Sequence, residues 1–246
     1  MRTANPAFNE KVFRQVGRVA DPSHAMTVSG TVNKAGILFV LLLLPAAWLW
    51  NRYAAQPAGA QPWMLGGLLV GFGVAMITVF KRNLAGVTAP IYAVCEGLAV
   101  GGISLFYSRA FAGIVPQAVG LTFGTLFVLL GIYRAGWIRV TDKFRLGVVA
   151  ATGAIALVYV VSLVLGMFGT QIPLIHGSGL IGIGFSLVVV GVASMNLVLD
   201  FDLIERGAAS GAPKYMEWYA AFGLMVTLVW LYLEMLRLLA KLSGRR

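Results

Sequence analysis

Seven long runs of apolar residues constrain the fold of this chain more than any other feature. Each run is close to the roughly 20 residues that an α-helix needs to cross a bilayer. Lipid offers no partner to an unpaired backbone group, and the runs lack the alternation of a barrel strand, so each run is predicted to be a helix. The predicted spans are 35–53, 63–80, 89–107, 112–133, 146–168, 178–200 and 214–240.

The composition agrees with a membrane protein. Hydrophobic residues make up 59% of the chain and charged residues 11%, whereas a soluble domain carries about 25% charged residues. We therefore expect an all-α integral membrane protein with a cytoplasmic amphipathic tail, 1–34, and a seven-helix transmembrane domain, 35–246. The single cysteine, Cys95, and the two histidines, His24 and His176, exclude a disulfide framework and the usual zinc motif. No cofactor is expected.

The net charge of +10 is predicted to serve membrane topology. The basic residues flank apolar runs, so the partner they indicate is the lipid bilayer and not nucleic acid. Their bias towards alternate connections places the N-terminus in the cytoplasm. Seven spans then put the C-terminus outside, which the terminal Lys241, Arg245 and Arg246 oppose. Either the last span is re-entrant, or the earlier loops outweigh the terminal charges.

The tail before the first span has the pattern of a short amphipathic helix. Asn5 is a suitable cap and Pro6 suits the first helical position. A stripe of apolar residues would rest on the cytoplasmic membrane surface: Phe8, Val12, Val16 and Val19. A partly ordered tail is the alternative.

Small residues recur at helix-packing spacing in three of the predicted spans. Such residues let helix backbones approach closely in a membrane. The predicted contact faces are Ala93, Gly97 and Gly101 in span three, Gly67 and Gly71 in span two, and Gly120 and Gly124 in span four.

Four carboxylates fall within these apolar spans: Glu96, Asp200, Glu217 and Glu234. The chain has only 9 Asp and Glu residues in total, and an acid at the centre of a bilayer costs about 2.5–3.5 kcal/mol on insertion scales. Acids at this depth are therefore a hypothesis about ions or protons.

Each acid has a functional and a structural interpretation. Asp200 is predicted near the end of span six, where the negative end of the helix dipole disfavours an ionised carboxylate and would make the group proton-sensitive; the alternative is an interfacial acid surrounded by water. Glu217 is either a favourable first-turn acid or a second acid beside Asp200. Glu234 is either part of the site or a structural bridge to Arg237, three residues on. Glu96 is either a pore or proton-linked acid or a buried hydrogen-bonding group that fixes packing.

Four stretches of the chain form a recognisable pattern, and the last two are the most specific. They are the tail residues 5–8 with 26–32, the span-three residues 89–98, the sequence Leu199-Asp200-Phe201-Asp202-Leu203-Ile204, and the sequence Leu231-Tyr232-Leu233-Glu234-Met235-Leu236. In these stretches the chain resembles the Bax inhibitor-1 (transmembrane Bax-inhibitor-motif) family, in its bacterial branch, which implies a location in a bacterial inner membrane.

The resemblance implies a seven-helix bundle with the last helix central and a pH-governed calcium leak. In the family an acid at the end of helix six pairs with an acid in the last helix. Matched motif to motif, Asp200 takes the first position and Glu234 the second, whereas matching by depth favours Glu217 as the partner. Two carboxylates within about 4 Å in a low dielectric share a proton and titrate as a pair, and calcium prefers oxygen ligands.

Two other classes of function compete with a leak channel. One is a non-transporting scaffold or modulator of another membrane complex, such as a protease, which would use the cytoplasmic tail. The other is an intramembrane enzyme built on His176 and Ser178. A base and a nucleophile only two residues apart are poorly placed for catalysis, so we expect no enzymatic activity.

Overall fold

The computed structural model describes residues 24–169, 177 and 179–244. Among these residues, seven helices are long and apolar enough to cross a membrane, and no β-strand is present. This confirms the predicted all-α, seven-helix fold. The helices are α1 (Val28–Tyr53), α2 (Gln61–Phe80), α3 (Ala85–Ala110), α4 (Ile114–Arg134), α5 (Asp142–Met167), α6 (Leu180–Ala209) and α7 (Met216–Ser243), with short 3₁₀ helices at Pro57–Ala60 and Arg82–Leu84.

Two helix boundaries differ from the sequence prediction for local reasons. Helix α1 begins at Val28 and not at 35, because the Thr27 side chain caps it by accepting a hydrogen bond from the backbone N–H of Gly30 at 3.0 Å. Helix α6 continues to Ala209, and Gly211 follows with the positive φ of 68° that favours glycine after a helix. Asp200 therefore lies inside α6, and the predicted effect of a helix end on its carboxylate is wrong.

Helix α7 is uninterrupted over 28 residues, a length of about 42 Å. This favours a full crossing over the re-entrant alternative. Of its most apolar window 72% is buried, against 17% in α4, so the last helix is the most enclosed of the seven, as predicted.

The described residues form two compact units. The first contains 24–112 and Asp200–Val226, and the second contains Gly113–Leu199 and 227–244. Helices α1, α2 and α3 belong to the first unit, and α4 and α5 to the second. Helices α6 and α7 contribute a segment to each.

Glycines hold the helices of the first unit close together. A Cβ at Gly97 would meet the carbonyl oxygen of Leu42 in α1, and one at Gly101 would lie 2.8 Å from the Cα of Ala46. A Cβ at Gly67 in α2 would lie 2.5 Å from the carbonyl oxygen of Cys95. The predicted small-residue faces of α2 and α3 are thus confirmed.

The corresponding prediction for α4, in the second unit, is wrong. A Cβ at Gly120 or Gly124 would meet nothing within 4 Å. The buried face of α4 is instead formed by Ile114, Ala118 and Thr122, which recur at the four-residue spacing of one helix face.

The core of the second unit contains Ile155 of α5 together with Val189 and Val192 of α6, and Tyr159 and Trp230 pack against them. This core positions the α5 and α7 side chains of the site. The predicted amphipathic helix of the tail, with Phe8, Val12, Val16 and Val19, lies outside the described residues, as do His176 and Ser178.

Candidate functional site

The four predicted acids all lie on membrane-spanning helices. Glu96 is on α3, Asp200 on α6, and Glu217 and Glu234 on α7. Asp200 and Glu234 are 1% exposed and Glu217 is 0% exposed, whereas Glu96 is half-buried. Because an ionised carboxylate loses its hydration on burial, the partners of each acid decide what it can do.

Glu217, in the first turn of α7, is surrounded by hydrogen-bond donors. Its Oε1 accepts from the backbone N–H and the hydroxyl of Thr27, both at 2.9 Å, and lies 3.0 Å from Nζ of Lys214. Its Oε2 is paired with the ammonium group of Lys34. Two cations and a threonine therefore compensate the buried charge, and we call these four residues the Glu217 clamp.

The Glu217 clamp joins the start of α1 to the start of α7. The backbone around it is also paired, because the N–H of Met26 donates to the carbonyl of Ala212 at 2.6 Å and that of Lys214 to the carbonyl of His24 at 2.9 Å. A Cβ at Gly30 would strike the Glu217 carboxylate. Glycine at position 30 is thus what allows the acid to reach α1.

Glu234, nearly five turns further along α7, has a different environment. Its Oε1 accepts from the hydroxyl of Tyr159 at 2.8 Å and from Nη1 of Arg237 at 2.7 Å. The same Nη1 donates to the Tyr159 hydroxyl at 2.5 Å, and the guanidinium lies 4.9 Å from the centre of the tyrosine ring. The predicted bridge between Glu234 and Arg237 is thus confirmed.

Only one oxygen of Glu234 is engaged in this way. Its Oε2 is buried and has no hydrogen-bond partner among the described residues. A carboxylate oxygen has lone pairs that can accept a proton or coordinate a hard cation. Glu234 therefore has an oxygen that can still bind a proton or a cation, whereas both oxygens of Glu217 already have partners.

Lys241 lies two turns beyond Glu234 and is 7% exposed. Its ammonium group donates to the carbonyl of Gly182 and to the hydroxyl of Ser186, both at 2.9 Å. This lysine therefore joins α7 to α6 through buried hydrogen bonds. It is not an exposed loop residue whose charge indicates membrane orientation.

Glu96 lies on α3, in the first unit. The hydroxyl of Tyr92, one turn earlier on α3, lies near its carboxylate, and its Oε2 lies 4.0 Å from the position of a Cβ at Gly71 in α2. Among the described residues no lysine or arginine forms an ion pair with it. The ring of Tyr92 is held edge-on against Phe222 at 5.0 Å.

Asp200 is buried within α6, as are the residues on either side of it in the chain, Leu199 and Phe201. Asp202, two residues on, forms the predicted pair with Arg206, with Nε 3.0 Å from Oδ2. Asn196, one turn before Asp200, donates to the hydroxyl of Thr152 at 2.8 Å. Asp202 and Asn196 thus have structural partners on their own faces.

Glu217 is grouped with cations and a threonine, Glu234 with a tyrosine and an arginine, and Glu96 with a tyrosine. In the described part of the chain, no three His, Cys, Asp or Glu side chains are grouped closely enough to hold a metal ion. A bound cation would therefore have to share single carboxylates with backbone oxygens or water.

Several partners of these acids were not predicted from the sequence. Lys214 precedes Glu217 by three residues and Tyr92 precedes Glu96 by four, so helix periodicity contains a signal for both. Lys34 and Tyr159 are 183 and 75 residues from their acids. No local pattern identifies such distant partners.

Comparison with known protein families gives one match. The family described as "Bax inhibitor 1 like" matches residues 5–244, which include every helix described above. No curated protein matches the chain.

Proposed function

The chain belongs to the Bax inhibitor 1 like family, and from that premise we propose that it is a cation leak whose flow responds to pH, with calcium as the ion carried. The observation that carries this proposal is the carboxylate of Glu234. It is buried in the most enclosed helix, and one oxygen has no hydrogen-bond partner among the described residues.

A carboxylate in this condition can exchange a proton for a cation. When ionised, its second oxygen offers a ligand to a hard ion such as calcium. When protonated, it offers a hydroxyl and loses the charge that would attract the ion. An intramembrane acid that faces a pathway is typical of ion and proton transport.

Asp200 is the second acid that we assign to this function. Its support is its burial within α6 and the family resemblance of the sequence around it. Glu96 is the third, as a pore or proton-linked acid, because it has no cationic partner among the described residues. We leave Glu217 out, since two lysines and Thr27 already satisfy its carboxylate.

We place the N-terminus in the cytoplasm on the strength of the basic residues in alternate connections. We place the protein in a bacterial inner membrane on the strength of its resemblance to the bacterial branch of the family. We assign it no catalytic residue and no cofactor.

The experiment is calcium uptake into liposomes that contain only the purified protein, measured over a pH series. We expect uptake above that of protein-free liposomes, with a pH dependence that Asp200→Asn and Glu234→Gln each remove. The double variant tests whether the two acids act as one unit, because a shared function makes their effects non-additive.

Uptake equal to that of protein-free liposomes at every pH would contradict the proposal. It would favour the alternative function, a non-transporting scaffold or modulator of another membrane complex. If both single variants take up calcium with an unchanged pH profile, the protein is a leak whose pH dependence does not come from these two acids.

A further inference from the structure

The connection between α4 and α5 contains none of the acids to which we assign the ion leak. It runs from Arg134, the last residue of α4, to Asp142, the first of α5, and lies within the second unit. Its side chains combine exposed positive charge with an exposed tryptophan.

The backbone fixes where that tryptophan stands. Gly136 adopts a positive φ of 74°, and its N–H donates to the carbonyl of Tyr133 at 3.0 Å, while the N–H of Trp137 donates to the carbonyl of Ile132 at 3.2 Å. These two hydrogen bonds cap the C-terminal end of α4, where the glycine adopts the left-handed conformation. Trp137 follows this glycine directly and is 82% exposed.

The other end of the connection is fixed as well. The Thr141 side chain accepts a hydrogen bond from the backbone N–H of Phe144 at 3.2 Å and so caps α5. The loop is therefore short, and hydrogen bonds fix its backbone at both ends. A ligand would bind to side chains whose backbone positions are already set.

Three basic side chains on this connection or in the first turn of α5 are exposed: Arg134, Arg139 and Lys143. None of them forms an ion pair with a carboxylate of the described residues. The acid among them, Asp142, lies in the first turn of α5, where it also suits the helix dipole. The exposed surface thus has a net charge of about +2 beside an indole ring.

We propose that this surface, formed by Arg134, Trp137, Arg139 and Lys143, binds the headgroups of anionic phospholipids. The arginines and the lysine would contact the phosphate oxygens, since guanidinium groups match them in geometry and charge. The indole would lie at the level of the headgroups, where tryptophan is enriched in membrane proteins. The occupant is lipid, because both flanking helices are long and apolar enough to cross a membrane, so that the connection between them would lie at its surface.

The experiment uses the full chain, reconstituted in bilayers of phosphatidylcholine and phosphatidylglycerol in which one of the two lipids carries brominated acyl chains. Bromine quenches tryptophan fluorescence at short range, and the difference between the parent protein and Trp137→Phe isolates the signal of Trp137. We expect brominated phosphatidylglycerol to quench this signal more strongly than brominated phosphatidylcholine.

Removing the positive charge should remove that preference. Each of Arg134→Gln, Arg139→Gln and Lys143→Gln is expected to weaken the relative association of phosphatidylglycerol by up to about fivefold. The matched control is Arg109→Gln, another exposed arginine at the end of a helix, which should leave the Trp137 signal unchanged.

Equal quenching by the two lipids would overturn the proposal, and so would a preference that survives all three substitutions. Loss of the preference on adding free inorganic phosphate at constant ionic strength would also overturn it, because the site would then take soluble phosphate. Calcium uptake does not enter the measurement, so this inference and the proposed function stand or fall separately.

Discussion

Two glutamates of the same helix have opposite environments. Glu217, at the start of α7, accepts hydrogen bonds from Thr27 and is paired with Lys34 and Lys214. Glu234, in the second half of α7, meets a tyrosine and an arginine through one oxygen, and its other oxygen has no hydrogen-bond partner among the described residues. Both are almost completely buried.

The difference shows that burial alone does not mark an acid as functional. A buried carboxylate that is fully compensated ties elements together, and removing it leaves its cations uncompensated. A buried carboxylate with an unused oxygen is an incomplete site whose remaining capacity is available to a proton or an ion. Each prediction below tests one side of this distinction.

The largest effect is expected at the Glu217 clamp. Glu217→Ala leaves Lys34 and the Thr27 donors without their acceptor, so we expect the free energy of unfolding to fall by about 3–5 kcal/mol. Thermal denaturation in detergent measures this. Asp142→Ala removes an exposed acid from a first helical turn and should change stability by under about 1 kcal/mol. Equal losses in the two variants would show that the clamp does not stabilise the fold.

Tyr159→Phe tests the hydrogen bonds made by Oε1 of Glu234. The variant loses a hydroxyl that donates to Glu234 and accepts from Arg237, and hydrogen bonds to charged groups are worth about 1.5–3 kcal/mol. We also expect the pH profile of calcium uptake to shift, because the carboxylate has lost a donor. Tyr53→Phe removes an exposed acceptor from Trp63 and should leave the profile unchanged. A loss of stability with an unaltered profile would reduce Tyr159 to a packing role.

Gly30→Ala tests how closely α1 approaches the Glu217 clamp. The added methyl group would strike the Glu217 carboxylate, and overpacking of this kind costs about 1–3 kcal/mol. Gly36→Ala, two turns on in the same helix, meets nothing within 4 Å and should stabilise the helix by up to about 1 kcal/mol. Opposite signs in thermal denaturation would confirm the approach, and two stabilised variants would contradict it.

The smallest effect is expected at the pair of Asp202 and Arg206. The arginine side chain is 45% exposed, although the aspartate side chain is only 12% exposed, and an ion pair whose cation is in contact with water contributes about 0–1 kcal/mol. Arg206→Gln should therefore be close to neutral in both stability and uptake. A large change in uptake would mean that a compensated acid also controls the ion, which would break the distinction between the two glutamates.

The sequence predicted the fold well and the site only in part. Seven apolar runs, each long enough to cross a bilayer, predict seven helices because lipid permits few other backbone structures. The errors were in the helix ends, such as Val28 and Ala209, whose positions are set by a capping threonine and by a glycine after the helix. The prediction of the contact face of α4 was wrong because small residues indicate where helices can approach closely, but not which face packs against a neighbour. Glu234 and its bond to Arg237 could be predicted from helical spacing, whereas Lys34 and Tyr159 come from distant helices.

The most direct test of the distinction is the pH dependence of calcium uptake in Glu234→Gln beside Asp202→Asn. Both substitutions replace a buried carboxylate by an amide, but Asp202 is paired with Arg206, whereas Glu234 has an unused oxygen. The account predicts that uptake no longer varies with pH in Glu234→Gln and varies as in the parent protein in Asp202→Asn. The same pH dependence in all three proteins would contradict it.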